Sequence, residues 1–438
     1  MRKRTVCSIC IFILSINLYG CSNSQREVIN NGEVIEEEAS VCIEEKNEGD
    51  SGIYIQREPY AAVFKRKPIE TIKDIEFYDE EKKFFDLRSY NLSNIDISPL
   101  EENIWYAIFD SKTTWPRELP QGFMPDDYLD FHKDPGLNLR KLHESGITGK
   151  GINMAFIDYS LLVDHVEYGD RVKYYEEIHY DSPEAQMHAP AVVSIAAGKN
   201  VGVAPEADIY FIATANYDYD SSEMELDETW IAKDIDKVIE INKSLPDSDK
   251  IRVLSISGGC EPESKGYNEF IEAIERAKRE NIFVISLNML DTYDKFYIHG
   301  LDISPMLDKN NIDNFDITQW DDWMEKVSHI DNYKSYYEKK ITEDNPSNLL
   351  LIPIDSKTVA SPTGNEDYVF YREGGWSWVM PYIAGVYALA CQVKPDISPE
   401  EFWSLGLETG ESRSIELPDK KYDGKIINPL KLINSIKK

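Results

Sequence analysis

The sequence predicts an α/β fold, a mostly parallel central sheet covered by helices on both faces. Four apolar runs bounded by turn or polar residues read as buried strands: INMAFID (152–158), ADIYFIA (207–213), RVLSIS (252–257) and NIFVISL (281–287). Helical stretches lie between them. Residues 189–197 are small and apolar, 227–244 carry spaced Ile and Val, and 267–279 set Phe270, Ile271, Ile274 and Ala277 on one face. A chain that alternates strand and helix makes parallel crossovers, and the helices then cover both sides of the sheet. In such sheets ligands bind beyond the carboxyl ends of the strands.

The amino end reads as an address. Arg2, Lys3 and Arg4 precede a mostly apolar run, residues 6–18, and then Leu18-Tyr19-Gly20-Cys21. That is the layout of a cleaved export signal, and the run is short for a membrane span. Gly20-Cys21 resembles the lipobox of bacterial lipoproteins, which implies removal of residues 1–20 and lipid on Cys21. Losing three basic residues moves the net charge from −32 to −35. A field of that sign repels phosphate backbones, and no local basic patch opposes it, so nucleic acid is not an expected partner. The cysteines left after Cys21, namely Cys42, Cys260 and Cys391, are odd in number and lack CxxC spacing, which excludes a disulfide framework and a zinc site of that type.

Residues 21–57, rich in Glu, Asn, Ser and Gly, bury too little apolar surface to fold and read as a flexible acidic tether from the membrane. Residues 58–140 hold Trp105, Trp115 and scattered apolar residues, the composition of a folded extension whose role the sequence does not name. Residues 141–438 form the expected main domain. At 42% hydrophobic residues a sizeable core is available.

Three residues stand out by position. Asp158 ends the first strand, at the rim where a crevice forms. His188 opens the small-residue helix HAPAVVSIAAG, which GVAPEADIYFIA returns to the sheet. Ser377 lies in GGWSWVMPYIAGVYALA, with Pro381 in the first turn of a helix. A helix start offers N–H groups and a field suited to developing negative charge.

With these motifs the sequence resembles the subtilisin-like serine peptidases. GKGINMAFID is similar to that family's aspartate motif, MHAPAVVSIAAG followed by GVAPEA to its histidine helix, and GGWSWVMPYIAGVYAL to its serine helix. The chain order Asp, His, Ser also separates it from α/β-hydrolases, which run Ser, Asp, His around G-x-S-x-G. The resemblance implies a subtilisin-like three-layer sandwich plus the N-terminal extension. It implies an Asp158/His188/Ser377 triad acting on polypeptide, with Asn288 and the Ser377 backbone N–H as oxyanion donors. Ser255, Ile256, Ser257 and Gly258 are similar to the family's substrate-pairing segment, where extended peptide adds through backbone hydrogen bonds.

The chain departs from the family pattern at Ala189 and Pro190 after the histidine, and at Trp376 and Trp378 around the serine. Those indoles suit a narrowed site, a specificity pocket, or a relative that binds peptide without cutting it. A structural envelope lipoprotein acting through its N-terminal extension is the third reading. Residues 289–326, aromatic and acidic, read as an insertion over the groove or as surface decoration. Structural calcium belongs to many members of the family, but no loop here has EF-hand spacing; DKNNIDNFD lacks the glycine and the terminal glutamate. The expected setting is the extracytoplasmic face of a bacterial cell membrane, by lipid anchor.

Overall fold

A computed structural model describes residues 53–437 except 77, 80–83, 181, 218–225, 294–295, 318–348 and 418–419. The signal, Cys21 and most of the tether lie outside these residues.

The strands in chain order are β1 (Tyr54–Ile55), β2 (Tyr78–Asp79), β3 (Phe84–Phe85), β4 (Phe109–Asp110), β5 (Asn153–Asp158), β6 (Val172–Glu177), β7 (Asp208–Ala213), β8 (Ile251–Ile256) and β9 (Phe283–Ile285). After them come β10 (Tyr297–Ile303), β11 (Phe315–Ile317), β12 (Leu349–Pro353), β13 (Lys357–Ala360), β14 (Tyr368–Tyr371), β15 (Glu411–Leu417) and β16 (Lys420–Ile426). The helices are α1 (Pro125–Phe131), α2 (Leu139–Glu144), α3 (His188–Ala197), α4 (Thr229–Ser244), α5 (Tyr267–Arg279), α6 (Met289–Thr292), α7 (Val379–Val393), α8 (Pro399–Thr409) and α9 (Pro429–Ile436).

The central sheet runs β1-β6-β7-β5-β8-β9, and every pairing in it is parallel. Its middle strands are mostly apolar because both faces are covered. On β5, Met154 and Phe156 face the layer that holds α3 and α7, whereas Ala155 and Ile157 face the layer that holds α4 and α5. This period-2 division makes the predicted three-layer sandwich. From β5 the chain passes to β6 and β7 on one side, then crosses to β8 on the other. The reversal opens a crevice at the carboxyl ends of β5 and β8.

α3 and α7 are buried along almost their whole length, as their small residues require. They approach closely where Gly385 meets Val203 and the Ala196 carbonyl; a Cβ there would lie 2.5 Å from Val203 Cβ. Ahead of β5, Gly149 has φ +79° and would place a Cβ 2.8 Å from that of Ala204, so glycine is required on both counts.

Three features differ from the sequence expectation. The tether does not extend to residue 57, because Tyr54–Ile55 joins the sheet edge beside β6 and Arg57 pairs with Glu177 at 2.6 Å. A two-residue strand has too little pattern to stand out in an acidic stretch. The described part of the 289–326 insertion is neither lid nor decoration. β10 and β11 belong to a second sheet, β11-β10-β12-β16-β15, whose apolar residues pack in the same core as α7; residues 318–326 lie outside the described residues. Finally, the extension over 58–140 is bound into the main domain. β4 completes a sheet with β13 and β14, and Phe370 packs into the extension's own core of Phe85, Leu87, Phe109 and Phe123.

The extension also buries a charge cluster. Arg88 donates to Asp86 through Nε at 2.9 Å and Nη2 at 2.7 Å, and through Nη1 to the Tyr371 hydroxyl at 2.9 Å. Burial opposes the charge on Arg88, but Tyr371 and Asp86 outweigh it and the guanidinium stays protonated.

Candidate active site

Asp158 ends β5 and His188 opens α3, and the fold sets them in contact across the crevice. His188 Nδ1 lies 2.8 Å from Asp158 Oδ1 and 2.9 Å from Oδ2. An ionised carboxylate only accepts, so Nδ1 carries the ring proton and Nε2 is the basic nitrogen of the neutral imidazole. The Tyr159 backbone N–H donates to Asp158 Oδ1 at 2.8 Å, and the Gln186 side chain accepts from the His188 backbone N–H at 2.7 Å, so both residues are held from behind. Burial pushes the neighbouring Tyr159 phenol well up, keeping it neutral beside Asp158.

Ser377 sits in the single 3₁₀ turn Trp376–Trp378 that leads into α7. Its Oγ donates to the Ser257 carbonyl at 3.2 Å, and the Ser257 hydroxyl donates back to the Ser377 carbonyl at 2.7 Å. This reciprocal pair ties the start of α7 to the end of β8. Ser377 and His188 line one small pocket, walled by Tyr371, Trp378 and Gly374. Tyr371 and Trp378 meet edge to face at 5.4 Å. The two indoles that break the family pattern are both buried; Trp378 walls the site, whereas Trp376 packs against His299.

Asn288 follows β9 and is buried. Its Oδ1 accepts from the Cys260 backbone N–H at 2.9 Å, while its Nδ2 donates to the Cys260 carbonyl at 2.8 Å and to Asp291 Oδ2 at 3.1 Å. The side-chain amide thus pairs with the Cys260 peptide and closes the Gly258–Cys260 turn. Both amide hydrogens that an oxyanion would need are engaged in this arrangement.

The four residues expected to pair with substrate are placed differently from one another. Ser255 lies inside the ladder opposite Ile285 of β9 and is buried there. Ile256, Ser257 and Gly258 run past the end of β9 and line a second pocket, next to Asp158. A Cβ on Gly258 would meet nothing within 4 Å, so its backbone faces open space.

Two contributors went unread in the sequence. Tyr371 walls the Ser377 pocket and was hidden in the ordinary strand pattern YVFY; Glu228 lines the second pocket just before α4 and reads from sequence as a helix-start acid. Among the described residues no group of three or more His, Cys, Asp or Glu is placed to hold a metal ion.

The model of the subtilase family matches residues 138–287, which span β5 to β9 with Asp158 and His188. A search of curated proteins found no match. Among solved structures the chain is similar to the prenylagaramide maturation protease PagA, at 16% identity over 68% of this chain and 98% of that one, with a TM-score of 0.45. It is also similar to a chain of the subtilase cytotoxin SubAB, at 14% identity over 70% and 96%, with a TM-score of 0.47. A third is fervidolysin from Fervidobacterium pennivorans, a keratinolytic enzyme related to subtilisin, at 15% identity over 72% and 48%, with a TM-score of 0.47. The family match falls on the strands and helices that bring Asp158 to His188, and it is over this stretch, residues 138–287, that the chain matches the subtilase family.

Proposed function

We propose that the chain is a serine endopeptidase working through Asp158, His188 and Ser377. The contact between Asp158 and His188, with Ser377 on the same pocket, is the observation that carries this reading. A serine hydroxyl is a poor nucleophile at neutral pH. Rotation of the Ser377 hydroxyl from the Ser257 carbonyl toward His188 Nε2 gives it a base, in keeping with the looser hydrogen bonds of substrate-free sites. As Oγ bonds to the scissile carbonyl carbon, its proton passes to Nε2, and Asp158 stabilises the imidazolium. The C–N bond then breaks, His188 returns the proton to the leaving amine, and water attacks the acyl-serine by the same route.

The oxyanion is assigned to the Ser377 backbone N–H and to Asn288, which would exchange its Asp291 bond for the substrate oxygen. Losing one such donor costs about 3 kcal/mol of transition-state stabilisation. Extended peptide would lie along Ile256–Gly258, where the backbone opens beyond β9.

The site of action is assigned to the outer face of a bacterial membrane, anchored through lipid on Cys21. Cys21→Ser should move the protein from membrane to soluble fractions; unchanged partitioning would remove the anchor from the reading.

The engaged Asn288 amide and the Ser377–Ser257 pair also favour a second reading, a silent relative that binds peptide without cutting it. Fluorophosphonate labelling decides between them. The active enzyme is labelled at Ser377 and Ser377→Ala is not. Absence of labelling in the folded native protein leaves the binding reading.

A further inference from the structure

Residues 54–62, where the expected tether meets the extension, form a strap along the outer edge of β6 and onward to the loop that leads into α3. The Gln56 backbone N–H donates to the Tyr175 carbonyl at 2.9 Å. Further on, the Tyr60 N–H donates to the Pro183 carbonyl at 3.0 Å, and the Ala185 N–H donates to the Tyr60 carbonyl at 2.8 Å. Pro183 and Ala185 stand just ahead of His188.

Arg57 ties this strap to the sheet and to the loop at once. Its Nε donates to Glu177 Oε2 at 2.6 Å, its Nη1 to the Pro183 carbonyl at 2.9 Å and its Nη2 to the Ser182 carbonyl at 2.6 Å. A guanidinium holds its donors in a rigid planar fork, so these bonds fix the loop relative to the end of β6. From Glu177 the network turns inward. The Tyr175 hydroxyl donates to Glu177 Oε1 at 2.6 Å and, its one proton used, accepts from the Ser160 hydroxyl at 3.1 Å. Ser160 and Tyr175 are fully buried. The Ser160 carbonyl then accepts from the Gln186 N–H at 2.9 Å, and the Gln186 side chain accepts from the His188 N–H at 2.7 Å. The network closes behind Asp158 on one side and His188 on the other.

We propose that Arg57 is a positioning residue for the Asp158–His188 pair, and that the chemistry of the site requires residues 54–62 to stay docked. The kinetic consequence rests on the catalytic reading given above; the structural one rests on the Asp158–His188 contact alone. Arg57 touches neither reacting atom. It acts by holding the loop that sets where α3 begins, and with it the imidazole. Proton transfer between a hydroxyl and a ring nitrogen tolerates little displacement, and a shift of about 1 Å costs on the order of 10² in rate.

Two readouts on the intact chain test this. The low-field proton resonance of the His188 Nδ1–H in its bond to Asp158 reports the pair without any turnover. Fluorophosphonate labelling of Ser377 and hydrolysis of fluorescein-labelled casein report the chemistry. Arg57→Gln should broaden or remove the resonance in a protein that still melts cooperatively. Its labelling rate and its kcat on casein should both fall about 10²-fold with KM unchanged. Arg57→Lys, which can still meet Glu177, should recover part of each. Tyr175→Phe cuts the link between Glu177 and Ser160 while keeping the ring, should shift the same readouts in the same direction, and serves if Arg57→Gln does not fold. A resonance and a rate that survive these changes, or that fall only with the fraction unfolded, overturn the proposal. So does a native chain without the resonance, since the pair is then not held. Native protein that shows the resonance but takes no label sinks the catalytic reading alone, and the resonance still decides the role of Arg57.

Discussion

Arg88→Met removes the guanidinium from Asp86 while keeping much of the side chain's length. Asp86 then loses its hydrogen bonds from Arg88 Nε and Nη2 at 2.9 and 2.7 Å, and keeps the Arg88 backbone N–H at 3.1 Å and Arg66 Nη2 at 3.5 Å. Removing one partner of a buried ion pair costs about 3–5 kcal/mol, and the two surviving contacts place this case near 3. For domains of ordinary size each kcal/mol moves Tm by about 2–4 °C, so a fall of roughly 6–12 °C is expected. The pH dependence is a sharper check. Burial alone would raise the Asp86 carboxyl, but Arg88, then Arg66, hold it below its ordinary 3.8 in the native protein. Its stabilising contribution is therefore present above pH 3.8 and lost as pH falls through the lowered native value. In the variant the buried carboxyl, left with Arg66 and one backbone N–H, takes up a proton more readily, so the penalty should be largest near pH 7 and shrink toward pH 4. Urea and thermal melts at both pH values read it. A loss below about 1 kcal/mol at pH 7, or one that does not vary with pH, would refute the claim that the extension is held by a buried charge pair.

Other outcomes follow from the same geometry. Asp158→Asn keeps the shape of the dyad but favours the wrong imidazole tautomer, and should lower kcat by about 10⁴, read by steady-state peptide hydrolysis. Gly385→Ala presses a methyl against Val203 and the Ala196 carbonyl, forcing α3 and α7 apart; it should cost about 1–3 kcal/mol in denaturation despite alanine's better helix propensity. Cys260 and Cys391 are buried, and burial pushes the Cys391 thiol up to about 11 and that of Cys260 higher. Neither should react with iodoacetamide at pH 8 in the native protein, and both should react in denaturant, as read by mass spectrometry.

The central sheet was legible because its strands are buried on both faces and so read as bounded apolar runs. Four of them fall within two residues of β5, β7, β8 and β9, and the helix 267–279 matches α5 end for end. β6 was not singled out, because VKYYEE beside an edge strand keeps polar residues half exposed. The second sheet escaped for another reason. β10 pairs with β12, and β12 with β16, across gaps of about 50 and 75 residues, and such pairing leaves no local period. At the site, residue types and their order pointed to Asp158, His188 and Ser377 through a few side chains in strong local contexts, and the structure brings the first two into contact with Ser377 on the same pocket. The hold of Asn288 on Cys260, and the Glu228 pocket, depend on where distant turns meet, which local context does not encode.

The manner in which the extension joins the domain bears on maturation. With Phe370 embedded among its aromatic residues and β4 hydrogen-bonded to β14, a backbone cut in the loop between α1 and α2 would sever one covalent link and leave the two pieces gripping each other. Such a clipped molecule would travel as one particle on a sizing column and come apart only in denaturant. A cut there could not by itself part the main domain from its extension.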